Sequence, residues 1–139
     1  KKLVADILVK NPNDADLVFN LGVISANAKN NVDAEKYYNR VIEINPAYTN
    51  AYINIAALKL ENEKPIIDEM NKLGTSTNDM KRYDVLKKKR EELFKSTIPF
   101  LKKAVELDPK NVDVAKTLMN VYSALEMTAE YKELKAKIQ

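Results

Sequence analysis

Three short stretches of this chain end alike: Lys10-Asn11-Pro12-Asn13, Ile44-Asn45-Pro46-Ala47 and Leu107-Asp108-Pro109-Lys110. Proline lacks a backbone N–H and its ring collides with the preceding turn, so an apolar periodic stretch that runs into such a stop is the end of a helix. Pro12 and Pro46 lie 34 residues apart, while Pro46 and Pro109 lie 63 apart, an interval longer by 29. A chain that stops its helices at a fixed interval folds as a series of like units, and here one unit carries an insertion. The 2 glycines in 139 residues leave little material for tight turns, and the expected fold class is all-α.

The residues inside the first interval sharpen this. Val18, Leu21, Gly22 and Ser25, then Ala34, Tyr38 and Pro46, fall where a tetratricopeptide repeat (TPR) has the signature residues of its first and second helices. The unit 15–48 resembles that family. Small residues at Gly22 and Ala34 fit the resemblance physically, because two packed helices approach most closely at such points. A second unit, 49–111, has Tyr52, Ile55 and Ala56 in its first helix and Ala104 and Pro109 in its second, separated by about 29 inserted residues. A third, 112–139, has Ala115, Leu118, Met119 and Tyr122 in register, with Met119 at the glycine position. Residues 1–14 read as the second helix of a preceding repeat. The expectation is a single domain, 1–139, of TPR-type antiparallel helix pairs stacked as a solenoid, with one repeat drawn out into a long helical hairpin. Each pair carries more apolar surface than it can bury alone, as Val18, Leu21 and Ile24 on one helix and Tyr38, Val41 and Ile42 on the next show.

The insertion itself reads as helix. Ile66, Met70 and Leu73 before the turn KLGTSTNDM, and Met80, Tyr83, Leu86, Arg90, Leu93, Thr97 and Phe100 after it, recur at threes and fours. Folding back at the turn sets Leu73 against Met80, Met70 against Tyr83, and Ile66 or Ile67 against Leu86. Gly74 is expected to close the first arm, and Thr77 or Asn78 to cap the second, with Asp79 in its first turn. Pro65 cannot donate to the carbonyl of Glu61, nor Pro99 to that of Lys95, so a kink or a break is expected at each. Ser96 as a fresh N-cap would place Pro99 in a first turn, where it is tolerated. The run YDVLKKKREELFKSTIPFLKKAVELDP, with VYSALEMTAEYKELKAKI after it, looks like the C-terminal region of a group of Gram-negative bacterial TPR proteins. That resemblance implies a C-terminal piece of a longer protein, with the periplasm or cell envelope favoured over the cytoplasm.

The family resemblance also implies a function. Arrays of this kind hold peptides or helices in a concave groove lined by first helices. By family register the groove would be lined by Asp16, Phe19, Asn20, Val23 and Asn27, by Asn50, Ile53, Asn54 and Ala57, and by Asp113, Lys116, Thr117 and Asn120. The residues singled out as a peptide-binding site are Phe19, Asn20, Val23, Asn27, Asn54, Ala57, Lys116 and Asn120. Asn20 and Asn54 occupy the same position in successive units, where an amide offers both donor and acceptor to a ligand backbone. Lys116 and Asn120 have the spacing of part of the family's carboxylate clamp, but Asp113 and Thr117 stand where its third-repeat cations would be.

Other functions find less support in the residues. With no His and no Cys the chain lacks the usual zinc ligands, general bases and thiol nucleophiles, and no glycine-rich phosphate loop is present, so neither enzymatic activity nor a cofactor is expected. No apolar run approaches the ~20 residues of a membrane span. The opening KKLVADILVK reads as the interior of a helix, and the natural N-terminus is expected to lie upstream. A net charge of +3, from 23 basic and 20 acidic residues, does not call for nucleic acid. Asp84 lies four residues before Lys88 and Glu91 four before Lys95, so the run Lys87-Lys88-Lys89-Arg90 reads as a solvated face. The expected role is a non-enzymatic scaffold for a protein or peptide partner. The alternative is an assembly element whose hairpin, 63–94, self-associates or docks in a larger envelope complex.

Overall fold

The computed structural model describes residues 13–138, and every regular element in that span is helical. The helices are α1 (Ala15–Asn27), α2 (Asn31–Ile44), α3 (Thr49–Leu60), α4 (Glu63–Asn71), α5 (Thr77–Leu107), α6 (Val112–Ala124) and α7 (Thr128–Ile138). The helix expected in 1–14 lies outside the described residues except for its last two. Helices α1 and α3 begin 34 residues apart, at Ala15 and Thr49, and α6 begins 63 further on, at Val112. The spacing of the proline stops thus reappears as the spacing of helix starts. The backbone divides into two compact units, one ending at Leu58 and one beginning at Lys59, within the last turn of α3.

The first unit is built on α1 and α2. Asp14 caps α1, accepting from the Leu17 N–H at 3.1 Å, and Asn30 caps α2, accepting from Asp33 at 3.3 Å. Between them the chain turns on Lys29, whose φ of 63° lies in the left-handed region. The Asn30 N–H donates to the Ser25 carbonyl at 2.8 Å and the Lys29 N–H to that of Ala26 at 3.0 Å, a Schellman closure. The second unit repeats this turn between α6 and α7. Glu126 has φ 59°, Met127 N–H donates to the Tyr122 carbonyl at 2.8 Å, and Glu126 N–H to that of Ser123 at 3.1 Å. Two unrelated sequences adopt one hydrogen-bond pattern at equivalent positions, which is what a structural repeat means in physical terms.

The core of the first unit centres on Val18, Val41 and Ala51, with Ala15, Phe19, Tyr37, Ile42, Ile44 and Tyr48 packed around it. Gly22 is where α1 meets α2. A Cβ placed on it would lie 2.5 Å from Cε1 of Tyr38 and 2.7 Å from Cδ1, closer than any packed carbon tolerates. Ala34 is fully buried, as a close crossing requires. In the third repeat, 97 residues on, the corresponding pair is Met119 and Lys135. With an exposed lysine in place of the buried ring, a side chain at the glycine position is accommodated. Ile24, expected among the buried apolar residues of α1, is 62% exposed.

In the second unit α4 and α5 form the hairpin, α5 packs on α6, and α6 on α7. At Pro65, where a kink or a break is expected, the chain takes the break. The chain turns at Glu61 and Asn62, and α4 starts at Glu63, so Pro65 sits in a first turn where its missing N–H has no intrahelical partner to lose. Pro99 behaves differently, lying inside the uninterrupted α5. Ser96 does not cap a new helix there. Its hydroxyl donates to the Leu93 carbonyl and that of Thr97 to the Phe94 carbonyl at 2.7 Å, bonds within the turn before the proline.

At the hairpin tip the first arm ends at Lys72, and Gly74 does not adopt a positive φ. Gly74 instead donates its N–H to Asp79 Oδ2 at 2.8 Å. The N-cap of α5 is Ser76, one residue before the two expected, with its hydroxyl accepting from the Asp79 N–H at 3.1 Å. Met70, Leu73, Met80 and Tyr83 line one recess beside the tip, in the register expected from their spacing. Arg82 reaches across to Glu69 with two hydrogen bonds, which hold the Glu69 carboxyl below the usual carboxylate range. No helix among the described residues is long and apolar enough to cross a membrane.

Candidate functional site

On α1 and α3 the structure separates residues that the repeat made equivalent. Asn20 is exposed, and no hydrogen bond holds its side chain to the described protein residues. Asn54 is half-buried and donates from Nδ2 to the Tyr38 hydroxyl at 3.3 Å. Thr117, the third member of this position, turns its hydroxyl back to the Asp113 carbonyl at 3.0 Å. Of the three, Asn20 alone presents an unengaged polar group to a ligand.

Phe19 is a packing residue. Its ring lies 5.5 Å from that of Tyr38 and 5.1 Å from that of Tyr48, both tilted, and it is half-buried between them. Val23 is half-buried beside it, while Asn27, at the end of α1, and Ala57 are exposed. Tyr48 continues this aromatic row and anchors it, donating its hydroxyl to Asp16 Oδ1 at 2.8 Å. Burial, that hydrogen bond and the charges of Asp16 and Asp14 push the Tyr48 hydroxyl up to about 12. Burial also raises Tyr52, whose hydroxyl donates to the Pro46 carbonyl at 2.7 Å. Tyr48 has a folded pKa above its unfolded one, so its contribution is whole below the unfolded value near pH 10 and is lost as pH climbs toward about 12. The urea midpoint of Tyr48→Phe should therefore fall less steeply over this interval than that of the parent protein. Identical slopes would show that the Asp16 bond does not hold the proton.

Lys116 and Asn120 are exposed on α6. Asn120, Thr117, Val121 and Ala124 form one wall of a recess whose other wall is Leu60, Glu63, Arg90 and Phe94. Its volume is about 290 Å³ and all of its residues belong to the second unit. Arg90 donates from Nε to Glu63 Oε2 at 2.7 Å, and its guanidinium carbon lies 4.8 Å from the Phe94 ring centroid. Both charged side chains of the pair are about one third exposed, 35% for Arg90 and 30% for Glu63. Sequence reasoning placed Arg90 in the helical stripe of the second arm and in a solvated basic run, with Phe94 nearby, and did not consider Glu63. The signal was available, because the antiparallel register that pairs Met70 with Tyr83 also sets Glu63 opposite Arg90. Among the described residues no group of three or more His, Cys, Asp or Glu is placed to hold a metal ion.

The chain was compared with known proteins at three levels. No family model matches it and no curated protein matches it. Among solved structures it is similar to one described as the MamA RS-1 ArsTM double mutant, at 15% identity and a TM-score of 0.43, covering 99% of this chain and 80% of that one. It is also similar to YrrB, described as a TPR protein with an unusual peptide-binding site, at 16% identity and a TM-score of 0.38, covering 97% of this chain and 72% of that one.

Proposed function

We propose that this protein is a non-enzymatic scaffold that binds a peptide or protein segment against the outward faces of its first helices. The observation that carries this reading is the recess of the second unit. There Asn120, from a first helix, offers a donor and an acceptor beside the apolar Leu60, Val121 and Ala124, the combination that seats a backbone and an adjoining side chain. Asn20 offers the same amide chemistry in the first unit, whereas Asn54 serves the Tyr38 hydroxyl. Photo-crosslinking tests the assignment. Benzophenone side chains introduced at positions 20 and 120 are expected to capture the partner, and the same group at the exposed Lys36 and Lys135 is not. Capture from positions 36 and 135 alone would overturn the reading.

A second reading is favoured by one observation at the hairpin tip, where Met80 and Tyr83 are 61% and 45% exposed. Apolar side chains of that size at the end of a projecting element suit self-association or docking in an envelope assembly. Sedimentation decides between them. A dimer that Met80→Ser with Tyr83→Ser converts to a monomer supports the second reading, and a parent protein monomeric throughout the accessible concentration range removes self-association.

A further inference from the structure

Two arginines bridge the same pair of helices, yet they do so unequally. Arg82 closes on Glu69 with Nε and Nη2 on the two carboxylate oxygens, a fork that engages the whole carboxylate. Arg90 meets Glu63 through Nε alone. The terminal nitrogens of Arg90 make no hydrogen bond among the described residues, and a guanidinium has four donors there. Its guanidinium carbon lies 4.8 Å from the Phe94 ring centroid. Arg90 lines the 290 Å³ recess together with Thr117 and Asn120. That volume is at the low end for ligand sites and suits an amino-acid side chain better than a cofactor. The charge of the chain is also unevenly placed. From Lys59 onward there are 17 Lys and Arg against 14 Asp and Glu, and before it 6 against 6, so the whole excess of +3 falls on the second unit.

We infer that this recess reads an acidic side chain, Asp or Glu, within a bound peptide segment. The terminal nitrogens of Arg90 take its carboxylate and the Asn120 amide takes the adjoining peptide group. The inference rests on the peptide-binding reading above and adds a specificity to it. The cation comes from the inserted hairpin and the amide from α6. Glu63 also lines the recess, but a cationic ligand there would enter a positively charged unit beside Arg90, whereas an anion is drawn by both.

The test is an NMR titration of the full chain with blocked pentapeptides, acetyl-Gly-Leu-X-Leu-Gly-amide, in which X is Glu, Gln or Lys. The Glu peptide should shift the Arg90 Nε–H and the Asn120 side-chain amide and bind about tenfold more tightly than the Gln peptide, as expected for a charge-assisted fork. Arg90→Lys keeps the charge but loses the fork, and should erase most of that preference. Glu63→Gln should tighten binding of the Glu peptide by removing the competing carboxylate, where a merely structural pair would make the same variant bind more weakly. Equal affinity for the Glu and Gln peptides, or preference for Lys, would overturn the inference while leaving peptide binding standing. No shift with any of the three would overturn both.

Discussion

Tyr38→Ala is expected to lower the stability of the first unit by about 3–5 kcal/mol, the cost of emptying a large, closely packed aromatic site. Tyr38 is 2% exposed, stacks with Phe19, lies against Gly22 and accepts the Asn54 amide at 3.3 Å. Its removal therefore leaves a cavity under α1 and a half-buried amide without its partner. The same contact makes a second, coupled expectation. Gly22→Ala brings a Cβ to 2.5 Å from a ring that has no room to withdraw, an overpacking cost of about 1–3 kcal/mol. Alanine's better helix propensity, about 1 kcal/mol, offsets only part of it. In a Tyr38→Leu background the clash is gone, so Gly22→Ala should become neutral or stabilising. Denaturant unfolding of the four proteins measures this as a double-mutant cycle, and additive losses would mean that the α1–α2 approach is not limited by this pair.

Leu86→Ala should cost about 2–5 kcal/mol locally, and the loss should appear in the hairpin. Leu86 is 1% exposed and lies midway between Arg82 and Arg90, four residues from each, both of which reach across to α4. The stripe they share faces α4, a nine-residue helix that buries none of its own residues completely. A helix that short is not stable alone, so α4 depends on this contact and on ion pairs that are individually weak. Hydrogen exchange should show Glu63–Asn71 losing protection in Leu86→Ala while α1 and α2 keep theirs. Val85→Ala, at a neighbouring residue that is 49% exposed, should change little, within about 0.5 kcal/mol. Equal effects at positions 85 and 86 would show that the hairpin has no packed centre.

Some of the architecture was legible because it depends on local chemistry. Proline at 12, 46 and 109 gave the period, and the observed starts at Ala15, Thr49 and Val112 follow it. The hairpin register followed from apolar spacing, since Met70, Leu73, Met80 and Tyr83 do gather at the tip. The two internal prolines were not distinguishable in this way. Pro65 has Asn62 and a charged stretch before it and lies in the first turn of a new helix, while Pro99 follows Ser96 and Thr97, whose hydroxyls bond backward, and lies within the continuous α5. Which outcome prevails depends on packing, and Thr97, two residues before Pro99, is fully buried.

The candidate site was legible in outline only. Repeat register put Asn20, Asn54, Lys116 and Asn120 on first helices, and that placement follows from a period of 34 residues. It could not tell that Asn54 is engaged by Tyr38, that Phe19 is locked between two tyrosines, or that Arg90 opens onto the recess beside Asn120. By itself, then, the amino-acid sequence determined the helices, their stops and the hairpin, because backbone donors, proline rings and apolar spacing act within a few residues. Which polar side chains are spent on the fold and which remain exposed was decided only by tertiary structure. A hydroxyl sixteen residues from Asn54, or a carboxylate twenty-seven residues from Arg90, has no effect until folding brings it within hydrogen-bond distance.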